Sequence, residues 1–459
     1  MTENLGQQIK KSKEVAEAIE NLVNKTMQYN NKIQSVAPAN PELQTHMHKL
    51  AQEIDHVRGR PLFYEFIGSG AGNGPYVELE DGSVKLDLIN GIGINILGHS
   101  HPRLIAAALR GALEDVTMQG NLEPNLQYLR VSKKLVDLAA KGTRLKHAWL
   151  TTCGTMANEN AVKMARQKNS PAKYIVAMKN AFAGRSTLMA EVTDNPAYKQ
   201  GLPHFDDVLR VDYYNAKDSS STDKTLRQLK EWVAKFPKDI AVFSFEPMQG
   251  EGGYRVAPRE FYLPLLDFCR EQGIAVWADE VQTFCRTGEL LAIQTLDIGE
   301  KVDIVTVAKA LQNGATLYTE EYNPQPGLIA GTFSGSSAAL EAGIAVLEEL
   351  SENQYFGSGG KISKIHQGFV EGLQALAEGS CKGLIHEPGG LGLMIAFTPH
   401  DGSREKMLAS LKTFYKNGLI AFGCGRDPYR IRFLVPAIIQ ENQIQEALSI
   451  IEKSLLETK

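Results

Sequence analysis

Two short apolar segments, each followed by a charged residue, constrain the fold of this chain more than any other feature. Residues 274–278 run into Asp279, and residues 302–308, rich in valine and isoleucine, run into Lys309. Short β-branched runs of this kind are typical of buried strands in a parallel sheet. Ligands of such sheets bind beyond the carboxyl ends of the strands. We therefore expect an α/β fold with Asp279 and Lys309 at one edge of the same sheet.

The chemistry of this pair points to a particular kind of cofactor. A lysine that loses its proton, beside an aspartate that keeps its charge, suits an aldehyde with a ring nitrogen. In this interpretation Lys309 forms a Schiff base with pyridoxal phosphate (PLP), and Asp279 pairs with the pyridinium nitrogen. Most aspartates and lysines at strand ends are solvated loop charges, so the hypothesis depends on the motifs around the pair.

Three further motifs occur in a fixed order around these residues. They are FEPMQGEGG at 245–253, DEVQT at 279–283 and DIVTVAK at 303–309. In this order they resemble the class III (ω-amino acid) aminotransferases of PLP fold type I, and the resemblance extends from about residue 72 to the end. It implies an α/β large domain with a mostly parallel, seven-stranded sheet covered by helices, and a smaller α+β domain.

The resemblance also suggests domain limits. We predict an N-terminal helical segment at 1–71, belonging partly to the small domain. The large PLP-binding domain is expected at 72–345 and the small C-terminal α+β domain at 346–459.

Other cofactor-binding residues follow from the resemblance. Gly154 and Thr155 match the turn that holds the PLP phosphate, and the free N–H groups of a helix start favour an anion there in any case. Phe182 is implied to stack on one face of the cofactor ring and Val281 to support the other. Gln282 is implied to reach the phenolic oxygen.

One cofactor contact is implied to cross between subunits. Thr332 matches a threonine that reaches the phosphate of the neighbouring subunit in this family, so a homodimer with shared active sites is implied. The segment between Lys309 and Thr332 is several residues shorter than is usual in the family. We therefore expect the strand pair normally found there to be trimmed or disordered.

The substrate residues implied by the resemblance are all charged. Arg185, in the motif FAGR, matches an arginine that grips a substrate carboxylate through its two-pronged guanidinium. Ala183 stands where the family often has an aromatic residue or histidine, which is expected to widen the pocket. Glu251 matches a carboxylate that masks the arginine aligned with Arg432, and this pair acts as a gate between substrates of different polarity.

Two segments outside these motifs are expected to be structural. Residues 7–33 have apolar residues at helical spacing and predict a helix. The glycines at 68, 70, 72 and 74 suggest a loop, but a strand-like segment follows them. The dinucleotide-binding fingerprint requires a helix at that point, so this loop is not interpreted as a nucleotide site.

Composition excludes several classes of partner. The net charge of −4 gives no basic field for nucleic acid or an anionic membrane. No apolar run approaches the roughly 20 residues that span a bilayer, and the first residues lack a secretory signal. The five cysteines are scattered without zinc spacing. We expect a cytoplasmic enzyme with reduced thiols and no metal site.

The function expected from these observations is PLP-dependent transamination. The ω-amino group of a small amino acid (acetylornithine, ornithine, lysine or 4-aminobutyrate) would be transferred to 2-oxoglutarate. The motifs are most similar to those of lysine and 4-aminobutyrate enzymes, but the sequence leaves the donor open. Two alternatives also remain open: an aminomutase or racemase of the same fold, and a binding or regulatory protein that has lost catalysis.

Overall fold

The computed structural model describes residues 3–115 and 118–459. Most of this chain is helix or strand. The α-helices are α1 (Leu5–Lys11), α2 (Lys13–Asn30), α3 (Pro41–Arg58), α4 (Asn90–Gly93), α5 (Pro102–Ala112), α6 (Leu126–Ala139), α7 (Gly154–Lys168), α8 (Thr187–Val192), α9 (Ser221–Lys235), α10 (Arg259–Glu271), α11 (Ala292–Thr295), α12 (Ser337–Glu352), α13 (Lys361–Glu378), α14 (Arg404–Lys416) and α15 (Glu441–Glu457).

The strands lie between these helices. They are β1 (Gly68–Asn73), β2 (Tyr76–Leu79), β3 (Val84–Asp87), β4 (Met118–Gln119), β5 (His147–Thr151), β6 (Tyr174–Met178), β7 (Val208–Val211), β8 (Ile240–Phe245), β9 (Met248–Gln249), β10 (Arg255–Val256), β11 (Ala275–Asp279), β12 (Ile304–Val307), β13 (Gly314–Tyr318), β14 (Gly335–Ser336), β15 (Ile385–Leu391), β16 (Met394–Pro399), β17 (Leu419–Ile420), β18 (Phe422–Cys424) and β19 (Arg430–Leu434).

The chain divides into two compact units. The first comprises residues 1–115, 364–389 and 395–459, and the second comprises residues 116–363 and 390–394. The domain limits expected from the sequence, at 71/72 and 345/346, stay a prediction, because a division by packing does not test where folding domains end.

The second unit is built on a seven-stranded sheet with the order β5-β13-β12-β11-β8-β6-β7. Strand β11 pairs in parallel with β8 and β12, and β6 pairs in parallel with β7 and β8. Strand β13 runs antiparallel to both of its neighbours. The predicted mostly parallel sheet is therefore confirmed, and the two apolar segments of the sequence are adjacent parallel strands.

The core of this unit lies between the sheet and helix α7. Strands β6, β8, β11 and β12 contribute Ile175, Val242, Trp277 and Ile304, all of them fully buried. Small residues such as Ala161 let α7 approach the sheet closely. Because strands in this layer are covered by helices, their sequences are continuously apolar.

The first unit contains two four-stranded sheets, with the orders β1-β2-β3-β17 and β15-β16-β19-β18. The glycine-rich stretch expected to be a loop is strand β1, paired antiparallel with β2. A side chain at Gly72 would lie 2.6 Å from the His99 Cβ atom, so glycine there permits close packing. His99 contacts the Asp87 carboxylate at 3.0 Å. This stretch is thus structural, as expected.

The helix prediction for residues 7–33 needs correction. Residues 7–33 form two helices, because Ser12 is extended and its hydroxyl accepts the Val15 N–H to start α2. Strands β15 and β16 are separated by a tight turn at Gly392. Gly392 has φ +57°, and a side chain there would lie 1.9 Å from the Arg286 carbonyl oxygen. Glycine therefore allows the turn between β15 and β16.

Candidate active site

The candidate site lies at the carboxyl edge of the seven-stranded sheet. Five strands of this sheet are each followed by a segment that carries residues expected from the sequence. These segments start after β5 (Gly154, Thr155), after β6 (Phe182, Arg185), after β8 (Glu251), at the end of β11 (Asp279, Val281, Gln282) and after β12 (Lys309).

Asp279 is a buried carboxylate fixed on both oxygens. Its Oδ1 accepts the Val281 N–H at 2.9 Å, and its Oδ2 accepts an N–H of the Asn158 amide at 2.7 Å. Burial raises the pKa of Asp279 to about 6, while these two hydrogen bonds and the Lys309 charge lower it. The carboxylate is therefore held in a fixed position in a poorly solvated place, where a cationic partner would stabilise its charge.

Asn158 connects three segments of the site. It lies one turn into α7, is 1% exposed, and also donates to the Ala183 carbonyl at 2.7 Å. Its Oδ1 is buried without a hydrogen-bond partner among the described residues. No pattern in the sequence predicted this contact between Asn158 and Asp279.

Two glycines bring the site segments into close contact. A side chain at Gly154 would lie 2.7 Å from the Val281 Cγ1 atom. Gly184 has φ +121°, and a side chain there would lie 2.4 Å from the Thr155 Oγ1 atom. The start of α7, the loop after β6 and the loop after β11 therefore form one compact cradle that only residues without a Cβ allow.

Gln282 is the third polar side chain of this cradle. It is 8% exposed, and its Oε1 has no hydrogen-bond partner among the described residues. Gly250 packs against its amide, since a side chain there would lie 2.6 Å from Oε1. Buried amides of this kind normally have partners, so Gln282 and Asn158 are oriented for polar groups of a ligand.

Lys309 opens a short 3₁₀ turn directly after β12. Its backbone has φ +53°, a left-handed conformation that costs energy for a residue other than glycine. Its charge is close enough to Asp279 to lower the pKa of that carboxyl. The two residues expected from the apolar runs are therefore brought together at the edge of adjacent strands.

Glu246 is a second buried acid beside Asp279. Its Oε1 accepts the Phe182 N–H and its Oε2 accepts the Gly250 N–H, both at 3.0 Å. Burial and the Asp279 charge raise the pKa of Glu246 to about 8. Glu246 therefore joins the loop that carries Phe182 to the loop that carries Glu251, a role that the sequence analysis did not assign.

The loop after β11 is fixed by two more buried groups. Glu280 accepts the N–H groups of Ala292 and Ile293, both at 2.8 Å, and burial raises its pKa to about 7. The fully buried Arg286 donates to the carbonyl oxygens of Gln282 and Phe284. These contacts hold the backbone on which Val281 and Gln282 lie.

Arg185 is exposed and stacks on an aromatic ring. Its Cζ lies 3.9 Å from the centroid of the Tyr198 ring. Within residues 3–115 and 118–459 its guanidinium has no ion pair or hydrogen bond. Tyr198 also meets Phe182 edge-on, with ring centroids 6.1 Å apart. All five N–H donors of Arg185 are thus available to a ligand.

The remaining expected residues differ in setting. Glu251 is partly buried, and it contributes to the raised pKa of Glu246. Thr332 is exposed, and its carbonyl packs against Gly120. Arg432 lies in strand β19 of the first unit and is 3% exposed.

The chemistry of these groups fits PLP. Asp279 offers a buried carboxylate for a cationic ring nitrogen, and Lys309 offers an amine. Asn158 and Gln282 offer buried acceptors, and the 15-residue helix α7 starts without a side-chain cap from Cys153, which suits its first N–H groups to a phosphate. In the described part of the chain no group of three or more His, Cys, Asp or Glu residues could hold a metal ion.

The fold and this edge of the sheet define a PLP-dependent enzyme of fold type I. Residues 66–455 match the family model for class III aminotransferases. The chain belongs to this family and is a PLP-dependent transaminase, whose substrates are amino acids and oxo acids.

Relatives with named activities align over most of the chain. A probable 4-aminobutyrate aminotransferase of Bacillus subtilis is 30% identical over 422 residues, covering 85% of this chain and 95% of that protein. An acetylornithine aminotransferase of Methanocaldococcus jannaschii is 30% identical, with 84% and 93% covered. The 4-aminobutyrate aminotransferase of Escherichia coli is also 30% identical, with 83% and 91% covered.

Solved structures confirm the fold. The lysine aminotransferase from M. tuberculosis superposes with a TM-score of 0.80 at 22% identity, covering 89% of this chain and all of that chain. A Bacillus anthracis aminotransferase superposes with a TM-score of 0.80 at 18% identity, covering 92% and 100%. Among the described residues, no helix has the length and apolar character needed to cross a membrane.

Proposed function

We propose that this enzyme transfers the ω-amino group of a small amino acid to 2-oxoglutarate. The candidate donors are acetylornithine, ornithine, lysine and 4-aminobutyrate, all of which carry a carboxylate away from the reacting amine. One observation carries this proposal, namely that the Arg185 guanidinium is exposed beside the candidate cofactor site. Arg185 lies on the same loop as Phe182, whose backbone N–H donates to the buried Glu246 carboxylate. The names of the relatives from Bacillus subtilis and Methanocaldococcus jannaschii support the same class of donor.

In this proposal the residues around Asp279 keep a proton on the ring nitrogen. PLP, when bound, supplies an aldehyde that captures amines and a cationic ring that accepts electrons. The ionised Asp279 pairs with the ring N–H, and Asn158 and Val281 keep its carboxylate in place. Phe182 and Val281 would hold the ring from its two faces, and an N–H of the Gln282 amide would donate to its phenolic oxygen.

The proposed role of Lys309 is to bind the cofactor and to move a proton. Its Nζ would hold the aldehyde of PLP and, once released by the donor amine, would accept the proton from the amine-bearing carbon of the donor. Its strained backbone, with φ +53°, fixes the direction in which the side chain leaves the sheet. The start of α7 at Gly154 and Thr155 binds the phosphate through backbone N–H groups.

Substrate orientation is assigned to the charged residues. Arg185 binds the carboxylate of the donor, which places the distal amine near Lys309. We propose that Glu251 masks Arg432 while the donor is bound and that Arg432 receives a carboxylate of 2-oxoglutarate.

We further propose that the enzyme is a homodimer in which Thr332 contacts the cofactor phosphate of the neighbouring subunit. Thr332 and Phe333 are both exposed, and Phe333 is 56% exposed despite being a large apolar residue.

The absorbance spectrum of the purified protein tests this function. We expect a yellow band that one of the four donors bleaches and that 2-oxoglutarate restores. A band that all four donors leave unchanged would contradict the proposed donor class. A donor converted without any 2-oxo acid would instead indicate an aminomutase, which needs no acceptor.

A further inference from the structure

Tyr198 is an aromatic residue outside the sequence motifs that contacts two of the expected site residues. The Arg185 guanidinium lies over its ring, and the Phe182 ring meets it at an interplanar angle of 90°. Tyr198 is only partly buried, so it is not a core residue. Its ring lies beside both the proposed cofactor-stacking residue and the proposed carboxylate-binding residue.

The stacking leaves Arg185 suited to bind a carboxylate. A guanidinium that lies flat on an aromatic ring keeps its N–H groups in its own plane, pointing away from the ring face. Among the described residues Arg185 has no acidic partner that would compete for those N–H groups. The ring therefore orients the cation without occupying its donors.

The segment that carries Tyr198 is itself anchored. Glu191, which is 6% exposed, accepts from Lys199 Nζ at 2.8 Å and contacts His204 Nδ1 at 3.3 Å. Upstream, the Asp194 carboxylate accepts the Asn180 N–H at 2.8 Å. Both ends of the segment around Tyr198 are thus held, which fixes the ring in front of Arg185.

We propose that Tyr198 is a positioning residue that holds Arg185 ready for the donor carboxylate and thereby sets selectivity for carboxylate-bearing donors. This inference rests on the proposed function, in which Arg185 binds that carboxylate. A flexible arginine loses side-chain entropy on binding, and stacking removes part of that loss before the donor arrives. The effect should therefore appear in KM for carboxylate donors rather than in kcat.

The test compares two amines in the holoenzyme. One is the donor that bleaches the cofactor band, and the other is the amine left when its carboxylate is removed, such as propylamine for 4-aminobutyrate or cadaverine for lysine. Tyr198→Leu removes the ring, and Tyr198→Phe keeps it. We expect Tyr198→Leu to raise KM for the carboxylate donor about threefold to thirtyfold, and to leave KM for the other amine nearly unchanged. Tyr198→Phe should leave KM nearly unchanged for both amines.

A parallel variant, Arg185→Gln, separates this inference from the proposed function. We expect it to lower the preference for the carboxylate donor roughly 30-fold or more. If Arg185→Gln lowers that preference and Tyr198→Leu does not, the positioning role is wrong and the proposed function stands. If neither variant changes it, Arg185 is not the carboxylate site, and the role of Tyr198 is overturned with it.

A second measurement does not depend on turnover or on the stability of the leucine variant. In the Tyr198→Phe variant the introduced phenylalanine can be exchanged for analogues with one to several ring fluorines, which weaken the attraction for a cation with little change in size. Calorimetry then gives the dissociation constant of the matching carboxylate without an amine, such as butyrate. We expect this constant to rise stepwise with fluorination, and a constant that stays the same across the series would overturn the proposal.

Discussion

Asp279 is placed where its charge is poorly solvated and well oriented. Burial raises its pKa to about 6, and only two hydrogen bonds and the nearby Lys309 act against that shift. A cationic ring nitrogen would add a partner that favours the ionised form. The carboxylate of Asp279 is therefore fixed in orientation and poorly solvated. Both properties favour a strong ion pair with a pyridinium nitrogen.

Replacing Asp279 with asparagine keeps the shape and removes the charge. We expect Asp279→Asn to lower kcat by about 100-fold or more, because the ring nitrogen loses the group that keeps it protonated. Steady-state kinetics at saturating cofactor provide the measurement. Asp297→Asn is the control, since the side chain of Asp297 is 85% exposed. Equal losses in both variants would contradict the assigned role.

Glu246 makes the stability of the cofactor-free protein depend on pH. Its folded pKa is raised from 4.5 to about 8, so between these values the folded state binds more protons than the unfolded state. The free energy of unfolding should therefore fall as the pH rises from about 5 to 8, by up to about 1.4 kcal/mol per pH unit for one proton. Urea denaturation at several pH values measures this slope.

A variant isolates the contribution of Glu246 to that slope. Glu246→Gln cannot titrate, so its slope should be smaller, although it loses an acceptor for one of the N–H groups of Phe182 and Gly250 at every pH. The exposed Glu260 offers the matched control, Glu260→Gln. A slope unchanged in Glu246→Gln would show that this carboxyl does not titrate in the range.

At the scale of elements, the site depends on how closely three loops approach one another. The start of α7 contacts the loop after β11 at Gly154 and the loop after β6 at Gly184. These contacts place backbone N–H groups, Val281 and Phe182 around one volume. Adding one methyl group at either glycine would therefore push these loops apart, although neither glycine has a side chain that could contact a ligand.

The variant Gly154→Ala tests this packing. The added Cβ would lie 2.7 Å from the Val281 Cγ1 atom, so the two loops must separate. We expect PLP affinity to fall about tenfold or more while the protein still folds. Fluorescence titration of the cofactor-free protein measures the dissociation constant. In the control Gly359→Ala, the new Cβ meets nothing within 4 Å, and affinity should stay unchanged.

Elements were easier to predict from the sequence than contacts between them. The runs ending at Asp279 and Lys309 could be predicted as strands because buried parallel strands are continuously apolar. In the structure these two strands are neighbours. Asn158, Glu246 and Tyr198 escaped assignment because their partners are distant in the sequence and no periodicity marks them. Of the three, Asn158 could most easily have been predicted, because it lies one helical turn after Gly154 and hence on the same face of α7.

At the scale of the whole molecule, the proposed homodimer predicts that two defective chains can restore each other. Lys309→Ala removes the amine from one chain, and Thr332→Val removes the phosphate contact that the other chain supplies. In a mixed dimer one site has both defects and the other has neither. Activity should therefore appear on mixing, up to one intact site per mixed dimer.

Mixing requires that subunits exchange, so the two chains are refolded together and the mixed dimer is isolated with two affinity tags. Sedimentation shows whether dimers form. If Thr332 acts within its own chain, the one site that keeps Lys309 also carries Thr332→Val, and the mixed dimer would have half the activity of the Thr332→Val dimer. Monomers with full activity would exclude the shared site.

The most direct test of the central claim is to locate the covalent attachment of the cofactor. The holoenzyme is treated with borohydride, digested, and its peptides are examined by mass spectrometry. We expect one modified residue, Lys309, carrying the reduced cofactor, and no such peptide when a donor has first converted the cofactor to its amine form. A cofactor attached to any other lysine, or to none, would contradict the assignment of this site.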